Sequence, residues 1–523
     1  MSARAGRPAA TVAAGILLSR ILGLVRNRAF AHYFGTSDAA DAFNAAFKIP
    51  NFLQNLFGEG VLSASFIPVY ARLVARGDRE EARRVAGAVF SILALATSLL
   101  VLAGVAVTPA LIAVIAPGFE GEKRDLTIRL VRILFPGAGL LVFSAWCLGV
   151  LNSHRRFFLS YAAPALWNLT IIGTLIGFGG SARGYRLAEI TAWGSVAGSA
   201  LQFVVQLPTV LQLLGGLRLR LERGSEAVAR VVRNFVPVFV GRGVVQISAY
   251  VDTVLASLLP TGAVAALSYA QVIYTLPVSL FGMSVSAAEL PAMSSTEGEG
   301  DERDAELRAR LGRGLRQIAL FVIPSAMAFL ALGDVITGAL YQSGEFTRST
   351  TVYVWGILAG SAVGLLASTL GRLYASTFYA LQDTRTPLRF AVIRVVLTIV
   401  LGYLFAIPLP GLLGLDQRWG AAGLTVSAGM AGWVEFTLLR RALNRRIGRT
   451  GIPLPIVAKL WGSAAAATIA ASAVKLGLES QHPLVVALFS LSMYGIAYFA
   501  ISAELGVPEA RRLLNRVSWF RRR

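Results

Sequence analysis

Residues 85–115 read VAGAVFSILALATSLLVLAGVAVTPALIAVI, without one charged side chain. A helix of about 20 apolar residues crosses the hydrocarbon core of a bilayer. An open strand would leave its backbone groups unsatisfied in lipid, so this stretch reads as a membrane-spanning helix. Its flanks are charged, with Arg79, Arg83 and Arg84 before it and Lys123 and Arg124 after it.

The same criterion, carried outward, yields fourteen spans: 11–34, 42–70, 85–115, 127–151, 158–179, 187–214, 231–258, 264–292, 314–340, 351–380, 388–408, 420–442, 454–476 and 483–505. The loops between them are asymmetric. One set carries Arg4 and Arg7, then Arg72 to Arg84, Arg155 and Arg156, Arg218 to Arg233, Arg303 to Arg316, Arg385 to Arg394, Arg440 to Arg449 and Arg511 to Arg523. The other set holds Lys123, Arg124, Arg183, Arg186, Arg348 and Arg418. Basic loops stay in the cytoplasm, so both termini are expected there. The net charge of +21 is thereby a topology signal, and nucleic acid is not an expected partner. Arg20, Arg26 and Arg28 interrupt the first span and no small-residue cleavage site follows, so a retained helix is expected rather than a signal peptide.

Of 523 residues, 55% are hydrophobic and 15% charged, against about 25% charged in soluble domains. Cys147 is the single cysteine, and His32, His154 and His482 are scattered. Disulfide scaffolds and clustered metal sites are excluded on that usage, and no metal is expected. No Gly-x-x-x-x-Gly-Lys-Ser/Thr loop is present, so ATP is not expected to drive the chain directly. An enzyme acting on a polyprenyl-linked sugar would need paired carboxylates on a large outer loop. The outer loops are short, with isolated acids such as Glu120, Glu189 and Asp416.

An internal repeat is legible. Leu56-Phe57-Gly58, Ser63-Ala64 and Pro68 are echoed by Leu280-Phe281-Gly282, Ser286-Ala287 and Pro291, an offset of about 224 residues. Leu151-Asn152-Ser153 and Leu381-Gln382-Asp383 lie at a similar offset. Six spans per repeat is an even number, so the halves are parallel repeats of the kind that enclose a central cavity. The expected fold is therefore an all-α polytopic membrane protein of 14 transmembrane helices: two pseudo-symmetric six-helix lobes plus two C-terminal helices. Residues 1–216 form the N-lobe, 217–450 the C-lobe, and 451–523 the last two helices with a basic tail.

Ionisable groups inside a bilayer cost at least about 2.5–3.5 kcal/mol each and so face protein or water. Arg26 lies about 120° around a helix from Arg20, and Arg28 about 80° the other way. A bend near Gly23, or snorkelling of one arginine, is needed to bring them to one cavity. Asp41 either caps the second span or pairs with an arginine of the first. Lys48, Asn51, Asn55 and Glu59 follow 3- and 4-residue steps and form a polar stripe, with Gln54 beside it. In the second half, Arg242 and Asp252 fall in span 7, Glu289 in span 8 and Arg372 in span 10. Asp252 and Glu289 are candidates for ion coupling, and Lys475 is read as an interfacial, snorkelling residue. A cavity lined by arginines favours an anionic ligand, because guanidinium forks match phosphate bidentately. The apolar last two helices beside it suit a long lipid tail.

The stretch Ser19-Arg20-Ile21-Leu22-Gly23-Leu24-Val25-Arg26 resembles the start of the MviN/MurJ family, of the multidrug/oligosaccharidyl-lipid/polysaccharide exporter superfamily. The likeness continues through Asp41-Ala42-Phe43, Phe47-Lys48-Ile49-Pro50-Asn51, Gly58-Glu59-Gly60 and Phe66-Ile67-Pro68. Later matches include Ala116-Pro117-Gly118-Phe119, Gln246-Ile247-Ser248, Ser268-Tyr269-Ala270 and Gly344-Glu345-Phe346-Thr347. Order and spacing hold from about residue 11 to 450.

The resemblance implies a flippase that moves lipid II, the lipid-linked peptidoglycan precursor, from the inner to the outer leaflet by alternating access. It implies a multi-pass protein of the bacterial inner membrane serving peptidoglycan biosynthesis, cell wall biogenesis and cell shape, with no covalent chemistry. The family's cavity arginines carry over to Arg20 and Arg26, and its other substrate-binding positions to Asp41, Asn51 and Glu59. The full expected substrate-binding set is Arg20, Arg26, Arg28, Asp41, Lys48, Asn51, Gln54, Glu59, Arg242 and Arg372. No cofactor is expected; a membrane potential or ion gradient is the expected driving force. The expected partners are lipid II or a similar polyprenyl-pyrophosphate glycolipid, membrane lipids and the cell-wall synthesis machinery, with the chain a monomer. The chain departs from the family at Asn27, where an aspartate is common, at Gln54, where an arginine is usual, and at Gln271-Val272 and Thr275 in span 8. The usual phosphate-binding arginine of the second lobe is thus missing, and Arg242 or Arg372 is its candidate substitute. Export of another polyprenyl-linked glycan or an amphiphile is the alternative reading.

Overall fold

The computed structural model describes residues 6–57, 59–217, 225–235, 250–296 and 300–520. The described residues are helical nearly throughout and divide into two compact units, Met1–Ala265 and Ala266–Arg523. Among them, 11 helices are long and apolar enough to cross a membrane. The three other expected spans are described in part. The first is a helix, α1 (Gly6–Phe34), of 29 residues, and carries three arginines. The second is described as α2 (Asp38–Phe57), α3 (Glu59–Ser65) and α4 (Ile67–Ala75), with a turn at Phe66 between the last two. The seventh is described only at its ends, as helical residues 226–235 (α9) and α10 (Val251–Ser257).

The first unit continues with α5 (Arg79–Ile115), α6 (Gly121–Ser153), α7 (Phe157–Phe178) and α8 (Gly184–Leu214). Asp78 caps α5 by accepting from the Glu81 N–H at 3.2 Å, and Glu80 and Glu81 complement the helix dipole in its first turn. The packing centre is α6, which touches α2, α5 and α8 and buries Leu130, Leu134, Val142, Trp146 and Val150. Its polar groups are paired inside: Gln202 and Gln206 both donate to Ser144 Oγ, at 2.9 and 2.6 Å. In contrast, α5 presents Leu95, Leu99, Leu102 and Val114 outward, the surface that lipid requires.

The second unit holds most of α11 (Ala263–Pro277), then a π-helical turn (Val278–Met283), α12 (Ser284–Ser294), α13 (Asp301–Ala331), α14 (Gly333–Tyr341) and α15 (Arg348–Ala380). It ends with α16 (Arg385–Ala406), α17 (Pro408–Leu412), α18 (Gly420–Ile447), α19 (Leu454–Gly477), α20 (Pro483–Glu504) and α21 (Pro508–Phe520). Here α15 is central, packing on α13 and α18. Gly364 and Gly429 let α15 and α18 meet backbone to backbone, since a Cβ on Gly364 would collide with the Gly429 Cα. Pro324 lacks the N–H that would bond the Leu320 carbonyl one turn back. Tyr498 of α20 donates its hydroxyl to that carbonyl at 2.6 Å, and Tyr494 donates to the Pro324 carbonyl at 2.8 Å. Two tyrosines thereby tie α20 to the proline site of α13.

The repeat recurs element by element. Both α6 and α15 run 33 residues, and both α7 and α16 run 22. After α6, Arg155 adopts φ 59°; after α15, Gln382 adopts φ 59°. Both left-handed residues close the same helix-ending motif. Arg156 N–H donates to the Leu151 carbonyl and Asp383 N–H to the Phe378 carbonyl, each at 2.9 Å. The structural register therefore pairs Leu151 with Phe378, not with Leu381 as the letter match implied.

Candidate functional site

The site is built first from α1, α2 and α7 in the first unit. Arg26 is half-buried, with its guanidinium 5.0 Å from the Trp167 ring centroid and 6.0 Å from that of Phe47. Phe47 and Trp167 stack on each other with centroids 5.6 Å apart. Trp167 is itself fixed, its indole N–H donating to the Ser195 carbonyl at 3.1 Å and to Ser195 Oγ at 3.2 Å. Arg26 also donates to Asn27 Oδ1 at 3.0 Å, so the residue in the usual aspartate position orients the guanidinium without neutralising it. A cation over an aromatic face gains about 0.5–2 kcal/mol. Asn51 lines a narrow cavity with Phe47, Trp167 and Ser199. That cavity, about 10 Å3, has room for a single water at most.

Asp41 is placed differently from either expectation. Only 1% exposed, it neither caps α2 nor meets an arginine of α1 in any described hydrogen bond. Its carboxylate accepts from Lys123 Nζ at 2.7 Å and from the backbone N–H groups of Gly262 and Ala265 at 2.7 and 2.8 Å. Those N–H groups are orphan donors of the first turn of α11, so Asp41 caps a helix far along the chain. Lys123 also pairs with Asp38 at 3.0 Å and lies 4.3 Å from the Phe119 ring centroid, while Thr261 donates to Asp38 at 2.8 Å.

The polar stripe of α2 divides between neighbours. Lys48 Nζ donates to Thr253 Oγ1 at 2.5 Å, and Tyr250 donates to the Lys48 carbonyl at 2.8 Å. Asp252, half-buried on α10, acts on Lys48 electrostatically. Asp252 is thus engaged with a cation of its own unit. Arg20 is exposed on α1 and Arg28 half-buried. In the second unit, Glu289 is half-buried on α12 and Arg372 exposed on α15. At the position of the missing span 8 arginine, Gln271 and Thr275 satisfy each other, Gln271 Nε2 donating to Thr275 Oγ1 at 3.3 Å. Lys475, expected to snorkel, pairs with Asp334 at 2.7 Å beside Arg348 at 3.1 Å, and Asp334 is only 2% exposed. The side chains of Gln54 and Glu59, and the whole of Arg242, lie outside the described residues.

Sequence reasoning missed Phe47 as a partner of Arg26, and missed Trp167, Lys123, Tyr250 and Thr253 altogether. Each partner lies tens to hundreds of positions from the residue it serves. Only Phe47, inside the Phe-Lys-Ile-Pro-Asn match, carried a signal.

The arrangement offers an arginine held on a rigid aromatic platform in a membrane-embedded bundle. The family profile described as "Lipid II flippase MurJ" matches residues 30–495. A Burkholderia cenocepacia relative named "Lipid II flippase MurJ" is 32% identical over 443 residues, 83% of this chain and 83% of its own length. A Rhizobium meliloti relative named "Probable lipid II flippase MurJ" is 31% identical over 519 residues, 95% of this chain and 93% of its own. In fold, the chain is similar to a solved structure described as "Lipid II flippase MurJ, inward closed conformation". The TM-score is 0.77 at 23% identity, covering 96% of this chain and 99% of that one. An inward-facing multidrug MATE transporter is similar at TM-score 0.65 and 17% identity, covering 81% of this chain and 95% of its own. With the profile matched across nearly all of its spans and relatives above 30% identity over most of its length, the chain belongs to the lipid II flippase MurJ family.

Proposed function

We propose that this chain moves lipid II from the inner to the outer leaflet of the bacterial inner membrane by alternating access, without covalent chemistry. The observation that carries the reading is Arg26, poised on Trp167 and Phe47 in a chain of this family. A pyrophosphate head must leave water to cross the bilayer, and a guanidinium fork lowers that barrier. The helices number fourteen in this reading, as two six-helix lobes and a C-terminal pair that holds the lipid tail. Both termini face the cytoplasm, as the loop arginines argue. A membrane potential, worth about 2.3 kcal/mol per charge per 100 mV, or an ion gradient resets the carrier. Asp252 and Glu289 are the acids proposed to couple to it, and Arg242 or Arg372 supplies the second lobe's cation. The protein works as a monomer beside the cell-wall synthesis machinery.

The test uses cells depleted of their own flippase. Surface lipid II is scored by cleavage with an externally added lipid II-degrading enzyme. The parent chain restores exposure, and the Arg26→Ala form at equal expression does not. A correctly inserted parent that exposes no lipid II overturns the assignment. The uncharged Gln54 and Gln271-Val272 positions favour the second reading in that event, a different polyprenyl-linked glycan.

A further inference from the structure

A second basic site lies wholly within the second unit, and no residue invoked for translocation lines it. A cavity of about 590 Å3 opens between the first half of α13, the end of α18 and the loop that leads to α19. Five arginines line it, Arg308, Arg313, Arg316, Arg440 and Arg449, and its lining contains no carboxylate. Three are positioned by single contacts. Arg316 Nε is bonded to Glu509 Oε1 at 2.8 Å, Arg440 Nε donates to the Thr450 carbonyl at 3.1 Å, and Arg308 Nη1 donates to the Ile447 carbonyl. A guanidinium has five N–H donors, so each keeps most of its fork free. Arg313 and Arg449 are exposed and have no partner among the described residues.

The loop is built, not draped. Thr450 donates from N–H and hydroxyl to Asn444 Oδ1, at 2.9 and 2.5 Å, and its hydroxyl meets the Tyr374 hydroxyl at 3.0 Å. Gly451, at φ 137°, leaves no room for a Cβ because the Arg440 guanidinium occupies that space. Arg308, Gly312 and Arg316 follow 4-residue steps, with Arg313 beside them, so one face of α13 aims its cations at the cavity. Like charges converging on one cavity repel, and among the described residues only Arg316 is offset, by its ion pair with Glu509. Planar forks around a common space are the arrangement that takes a tetrahedral oxyanion.

We propose that this cavity binds a phosphate group carrying net negative charge, supplied either by an acidic phospholipid headgroup or by free phosphate. In the orientation proposed above, the cavity faces the cytoplasmic leaflet, where acidic headgroups attract basic segments. The site is independent of the translocation reading, because none of its arginines belongs to the Arg26 cluster.

The experiment measures thermal unfolding of the full chain in detergent at constant ionic strength. The probes are dioctanoyl-phosphatidylglycerol, dioctanoyl-phosphatidylcholine, inorganic phosphate and chloride. Phosphatidylglycerol is expected to raise the midpoint of the parent, and phosphatidylcholine is not. The Arg313→Gln/Arg449→Gln form is expected to need about tenfold more ligand for the same shift, as loss of charge-assisted hydrogen bonds implies. A shift with inorganic phosphate matching that with the lipid assigns the site to free phosphate; a shift with the lipid alone assigns it to the headgroup. Three results overturn the proposal: no shift with either anion beyond chloride, an equal shift with phosphatidylcholine, or an unchanged response in the double variant. Hydrogen exchange on the parent is the second measurement. The effective probe protects residues 308–316 and 449–453, and unchanged exchange there also overturns the site.

Discussion

Arg26 and Asp41 show what a charge needs in a membrane protein. Arg26 lies against two aromatic faces, which lower the cost of its charge. Arg26→Lys keeps the charge and loses the planar fork, so lipid II exposure is expected to fall about tenfold or more. Trp167→Leu keeps apolar bulk and removes the better of the two faces. Losing about 0.5–2 kcal/mol there lowers exposure roughly 2- to 30-fold, with Arg26 still in place. Asp41 is a structural carboxylate, closing an orphan helix start and a lysine at once. Asp41→Asn leaves Lys123 with the more exposed Asp38 as its remaining carboxylate and is expected to cost about 1–3 kcal/mol, seen as a lower unfolding midpoint in detergent. Asp41→Asn combined with Lys123→Met recovers part of that loss; no recovery would mean the ion pair is not what the single change breaks.

Helix ends and helix breaks carry the next level. Asp383 accepts from the Arg385 and Thr386 N–H groups at 3.1 and 3.0 Å and from the Thr386 hydroxyl at 2.8 Å, anchoring the start of α16. The Thr386 backbone bond is the main cause that holds its carboxyl below the ordinary aspartate value, with the Thr386 hydroxyl, the Arg385 N–H and Arg446 adding to it. A carboxyl lowered in the folded state contributes stability above its unfolded value, and that contribution disappears as pH falls through the folded value. Unfolding midpoints followed downward from pH 5 should therefore fall less steeply in Asp383→Asn than in the parent. Tyr498→Phe removes the only donor described for the carbonyl that Pro324 orphans. The cost is about 1–3 kcal/mol, localised to α13 and α20, and hydrogen exchange in those helices should rise before the rest of the unit responds. The recurrence of φ 59° at Arg155 and Gln382 belongs to this scale too. The repeat survives as a backbone motif where its letters have drifted by several positions.

At the scale of the whole chain, the apolar stretches and their loop charges made an all-helical membrane protein readable, and 11 spans stand among the described residues. Helices α1 and α2 carry Arg20, Arg26, Arg28 and Lys48. The same residue class plays two roles. In the basic loops arginine reports topology, yet around the α13–α18 cavity it forms a site that a count of loop charges could not separate from the rest.

The sequence by itself determined the class and the helical repeat, because hydropathy, charge asymmetry and local motif are properties of neighbours along the chain. Tertiary structure alone decided the partners. That Trp167 serves Arg26, that Lys123 and the start of α11 serve Asp41, and that five arginines share one cavity depends on side chains brought together from distant positions. Such pairings follow from packing of whole helices, which fixes distance and direction in three dimensions and leaves no period in the sequence to read.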